Sequence, residues 1–129
     1  MAVAVLLAPV GCSIGADEEP KPVTGAAKQI AMTVEQLQRA VAARDYAAIC
    51  DDLFTRTARQ RAGGDECETQ VRSAAEDVRR PTIRIEQIAV KDDRAVVTVA
   101  TTATGQARVT DAMELRKETD GWRIEALSD

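Results

Sequence analysis

The 129-residue chain contains no histidine, and its aromatic residues are only Tyr46, Phe54 and Trp122. Without histidine there is no Ser-His-Asp or Cys-His catalysis, and the usual zinc sites are gone as well. Three scattered rings cannot build the stacking platform of a single-strand nucleic-acid binder. The formal charge of −4, with both signs interspersed, offers no basic face for a duplex. No metal, cofactor or nucleic-acid partner is expected. Apolar runs are short too: the longest, Met1 to Val10, cannot span a bilayer.

What is present is 45% hydrophobic residues, chiefly Val, Ile, Leu and Ala. One domain of this size buries about 60–65% of its unfolded surface, which makes a core of small side chains adequate but not generous. A covalent staple is therefore valuable, and the stretch Arg44 to Val78 supplies one. Two helical segments each carry a cysteine on the apolar stripe, Cys50 and Cys67, with sixteen residues between them. A disulfide there would pin the helices into a lid over the strands that follow Pro81.

Residues 1–11 read as a leader and 12–25 as a flexible tether, with the folded domain at 26–129. The apolar run ends in Gly11-Cys12 before a polar stretch, which resembles the lipobox of bacterial lipoproteins. That resemblance implies acylation of Cys12, and it accounts for the odd third cysteine in an oxidising compartment. No Lys or Arg precedes the run, so the leader is expected to start upstream of Met1. The expected location is the outer face of the cell membrane, with the membrane a partner through the lipid.

From Ala26 to Ala43, Ile30, Val34, Leu37 and Val41 recur at helical spacing and predict one helix of about five turns. Thr33 with Gln36 has the form of a capping box. Asp45 is the expected N-cap of a second helix that buries Tyr46, Ile49, Cys50 and Leu53 and runs to the break at Gly63-Gly64. Asp65 with Glu68 forms another capping box, opening a third helix that Arg79-Arg80 favour and Pro81 stops.

Beyond Pro81 the apolar period becomes two. Ile83 and Ile85 share one parity and Ile88 and Val90 the other, so a β-bulge near Glu86-Gln87 must rephase the strand. Lys91 to Arg94 is a hairpin loop. After it come the strand AVVTVATTAT, a turn at Gly105 and a strand from Ala107 to Lys117 with Val109, Asp111, Met113 and Leu115 on one face. A two-residue turn at Asp120-Gly121 sets Arg116 opposite Glu125 and Glu118 opposite Arg123, and it pairs Leu115 with Ala126 and Lys117 with Ile124.

The fold class is α+β, with N-terminal helices packed on a curved antiparallel β-sheet as a cone-shaped roll. A long helix, two shorter ones, a bulged strand, long hairpins and the closing DGWRIEAL resemble the nuclear transport factor 2-like, or SnoaL-like, superfamily. RDYAAICDDLFTRTARQ with GGDECE is similar to secreted and lipoprotein members from actinobacteria, and thirteen arginines against four lysines fit such a genome. The resemblance implies a cone enclosing an apolar pocket, with Tyr46, Val97, Val99, Val109, Asp111, Met113, Trp122 and Ile124 as the candidate lining.

Three functions compete. The leading one is a non-enzymatic tethered envelope domain that binds a small apolar ligand or an envelope protein through the concave sheet. The second is a lyase or isomerase with Asp111 as general base. The third is a homodimer that closes the open sheet face against its copy. Asp51-Asp52 read as a solvated face rather than metal ligands, because adjacent acids on a helix diverge. Arg56, Arg59, Arg61 and Arg72 read as solvated surface in preference to a patch for anionic headgroups.

Overall fold

A computed structural model describes residues 25–128. The leader, the tether and Cys12 lie outside the described residues. Helix α1, Ala26–Ala43, is the expected five-turn helix, with Ile30, Val34, Leu37 and Ala40 buried along one stripe. Thr33 is not an N-cap. It sits about two turns into the helix, buried, and its hydroxyl donates to the Trp122 carbonyl at 2.9 Å.

The second helical segment is divided where one helix was expected. Asp45 caps α2, Tyr46–Ala48, by accepting from the Ala48 N–H. The chain then widens into a π-helical turn over Ile49–Leu53, closed by the Phe54 N–H on the Ile49 carbonyl at 3.0 Å. Phe54 is extended and pairs in parallel with Ile124, and Thr55 N-caps α3, Arg56–Arg61. Tertiary pairing overrides helix propensity here, because the Thr55 N–H reaches the Ile124 carbonyl at 2.9 Å on an otherwise open sheet edge.

Gly63 and Gly64, both at positive φ, reverse the chain into a 3-10 turn over Gly64–Glu66 and then α4, Cys67–Ala75. A Cβ at Gly63 would meet Glu66 and Gln70 at 3.1–3.3 Å. The Asp65–Glu68 capping box does not form: α4 starts after Glu66 without a side-chain cap. It ends at Ala75, so Arg79-Arg80 lie beyond the reach of its dipole. Cys50 and Cys67 are joined as expected, both buried, with Cα atoms 6.1 Å apart.

The sheet is an antiparallel meander in the order β1-β2-β3-β4: β1 Thr82–Lys91, β2 Arg94–Thr102, β3 Val109–Glu118 and β4 Gly121–Ser128. The register of β1 on β2 shifts between Ile85 and Gln87, leaving Glu86 as the bulged residue. That shift brings Ile83, Ile85 and Ile88 onto the core side.

The closing hairpin departs from expectation. Its turn is Thr119-Asp120, and Glu118 pairs with Gly121, Lys117 with Trp122, Arg116 with Arg123 and Leu115 with Ile124. A second shift then leaves Glu125 unpaired and Glu114 opposite Ala126. Gly121, at φ 125°, opens the strand in a conformation that L residues avoid. The slip moves these four partners by two residues, so Trp122 and Ile124 point into the core in either register. The two exposed cross-strand ion pairs given up are worth only about 0.2–1 kcal/mol each, too little to hold the expected register.

The helices cover one face of this sheet. Ile30, Val34, Leu37, Tyr46, Ile49 and Leu53 pack against Val97, Val99, Met113, Leu115, Trp122 and Ile124 in a single core. Helix α1 is tied to both edge strands, through Thr33 to β4 and through Gln38, whose side-chain oxygen accepts the Ile83 N–H at 2.7 Å.

Candidate functional site

The interior of the cone is filled rather than hollow. Val97, Val99, Met113 and Ile124 are packed core residues, each no more than 2% exposed. Val109 is 48% exposed at the far end of the sheet, where it borders a separate small cleft with Val41, Val78 and Ile83. Asp111 is half-buried, paired across the strand with Val99, and lines none of the larger hollows among the described residues.

Two polar atoms inside the cone have no hydrogen-bond partner among the described residues, the Tyr46 hydroxyl and Trp122 Nε1. Both residues are only 5% exposed. Tyr46 is held between α2 and α4, with the Arg72 guanidinium 5.7 Å from its ring centre. Trp122 is held by its position opposite Lys117 and by Thr33 on its carbonyl. An unsatisfied buried donor costs about 1–3 kcal/mol, and these two stand in the same core cluster.

Trp122 connects that interior to a hollow of about 480 Å³ between the first half of α1 and the β3–β4 hairpin. Gln29, Met32, Thr33 and Gln36 form its helical wall, Asp52 stands at one side, and Lys117 to Arg123 form the opposite wall. The volume lies in the range that accommodates a small organic ligand. The lining suits a polar planar one: two amides and a hydroxyl give and take hydrogen bonds, and Met32 and Trp122 offer apolar surface. Sequence reasoning placed Trp122 correctly in the core. It missed Gln29 and Met32, and it read Gln36 only as the partner of Thr33 in a capping box, because the hairpin that folds over them is distant in the chain.

The rim is held by Arg123. Its guanidinium donates to the carbonyls of Asp51 and Phe54 at 3.1 and 3.2 Å and pairs with the Asp120 carboxylate. That hydrogen bond holds the Asp120 carboxyl below its ordinary value. Asp51 in turn pairs with Arg59 at 3.4 Å, and Arg72 with Glu68 at 3.5 Å. Among the described residues no group of three potential metal ligands converges, Asp51-Asp52 included.

Comparison with known proteins follows this geometry. A family profile described as "Putative lumazine-binding" matches residues 26–126. Among solved structures, a de novo designed nuclear transport factor 2 fold protein superposes with a TM-score of 0.55 at 14% identity, over 82% of this chain and 85% of that one. No curated protein sequence matches the chain. A family match spanning the whole described domain, together with the helix-covered, bulged meander, leads to one conclusion: the chain belongs to the "Putative lumazine-binding" family of nuclear transport factor 2-like proteins.

Proposed function

We propose that this domain is a non-catalytic binding module for a small planar heterocycle carrying carbonyl or ring-nitrogen acceptors, lumazine being the probe that the family description supplies. The observation that carries the reading is the unpartnered donor Trp122 Nε1, on a buried residue that lines a hollow of ligand size. A ligand entering between α1 and the β3–β4 hairpin would accept from the Trp122 indole N–H at the edge of the ring. The amides of Gln29 and Gln36 would fix its orientation.

Trp122 is the sole tryptophan, so its indole N–H gives a single, unambiguous NMR resonance. On titration with lumazine that resonance is expected to move downfield, with Trp122→Phe binding about 5–10-fold more weakly, the worth of one hydrogen bond. An indole resonance unmoved at millimolar lumazine would sink this reading.

We further propose that the module is exported and held at the outer face of the membrane by a lipid on Cys12. Supporting this are the cysteine after the apolar run and the disulfide, which persists in oxidising compartments. Metabolic labelling with a fatty acid should mark the full-length protein and not Cys12→Ser. Equal labelling of both would remove the tether from the account.

A further inference from the structure

The register of the sheet assembles a feature that no single strand shows. Lys91 pairs with Arg94, Arg94 with Arg116, and Arg116 with Arg123, placing one cation on each of the four strands at the same level. At the usual strand spacing the row spans about 14 Å. It lies on the convex face, because the neighbours Ala95, Leu115 and Ile124 point into the core. Like charges directly opposite one another destabilise a sheet, and here three successive cross-strand pairs are alike.

Arg123 is satisfied by Asp120 and two carbonyls, and Arg59, Arg72 and Arg108 each have a carboxylate partner. Arg94, Arg116 and Arg61 at the end of α3 have none within ion-pair distance among the described residues, although Glu114 and Glu125 stand in the same hollow. That hollow measures about 390 Å³ and is separate from the one beside Trp122. Val96, 44% exposed, forms an apolar patch on its lining.

We propose that Arg61, Arg94 and Arg116 form an anion-binding site on the convex face that takes the phosphate group of a small soluble molecule. Guanidinium forks match phosphate oxygens two at a time, and a dianion set among them removes the repulsion along the row. Val96 would meet the organic part of such an ester. A flat anionic membrane fits worse: Asp92, Asp93, Glu114, Glu118 and Glu125 surround the row and would face the headgroups with the wrong sign, whereas a small group enters the hollow between them.

The test is calorimetric titration of the full chain with inorganic pyrophosphate at two salt concentrations, beside sedimentation with phosphatidylglycerol–phosphatidylcholine vesicles. Binding that weakens with salt, falls at least 10-fold in Arg94→Gln/Arg116→Gln, and tightens in Glu114→Gln is expected. In the absence of anion the double variant should melt no lower than the native protein, since it removes a like-charge contact; this separates a binding role from a structural one. Three results would overturn the site: no heat with millimolar pyrophosphate, equal affinity in the double variant, or vesicle binding that pyrophosphate does not compete away.

Discussion

Tyr46 and Trp122 show how one atom can be at odds with the packing of its own ring. Each ring fills the core, yet each leaves a donor unpaired. Tyr46→Phe removes the orphan hydroxyl and keeps the ring, so it is expected to raise stability by about 1 kcal/mol in urea unfolding. A loss of that size would mean that the hydroxyl has a partner in solution. Thr33→Val is the opposite case, since it strands the Trp122 carbonyl and should cost about 1–2 kcal/mol.

At Asp120 the hydrogen bond from Arg123 lowers the carboxyl pKa from 3.8. The folded value thus lies below the unfolded one. The pairing contributes fully above the unfolded pKa and is lost as pH falls through the folded value, below about 4. An NMR titration of the Asp120 carboxyl should show the midpoint return towards 3.8 in Arg123→Ala. The same variant should lose about 2 kcal/mol, because two carbonyls lose a charged donor.

At the scale of elements, the π-helical turn, α4 and the disulfide act as one unit. The bond closes a loop of 17 residues and is worth about 3 kcal/mol in the chain-entropy model. Cys50→Ala/Cys67→Ala should therefore lose about that much. It should also lose amide-exchange protection in α4 before the sheet, whose strands are joined by continuous ladders. Uniform loss across both would show that the lid is not a separable unit. The bulge at Glu86 offers a second test. Deleting Glu86 brings Ile83, Ile85 and Ile88 into regular alternation, so the apolar pattern survives and the bend does not. A stability loss of about 1–3 kcal/mol would then report the curvature alone.

Element identities were largely legible in the chain because periodicity is local. Ile30, Val34 and Leu37 mark α1, Asp45 caps α2, and the parity change between Ile85 and Ile88 demands a bulge. What was not legible came from contacts between elements. Phe54 reads as helix until Ile124 is beside it, and Asp120-Gly121 reads as the turn until β4 is paired with β3 two residues out of that register.

On the scale of the whole molecule, a cone with few aromatics closes on itself. Small aliphatic side chains from three helical segments and four strands meet in the middle, and recognition is displaced to the rims. Of the candidate lining, Trp122 alone reaches the larger hollow. Val109 and Leu127, 48% and 59% exposed, mark the end of the sheet that the helices do not cover. Contacts with the heterocycle are therefore expected to concentrate at the α1–hairpin rim. Hydrogen-exchange mapping with lumazine bound should protect 29–36 and 117–123 rather than the centre of β2.

The chain alone determined the α+β class, the order of elements, the bulge and the pairing of Cys50 with Cys67. Each rests on a pattern whose period or count is written along the backbone. Tertiary structure alone decided the register of β3 on β4, which exchanges two expected ion pairs for Arg123 opposite Arg116 and so completes the row that Arg94 and Arg116 begin. It also decided the fold of the hairpin over Gln29 and Gln36. The physical reason is one of magnitude: exposed charge pairs are too weak to set a register.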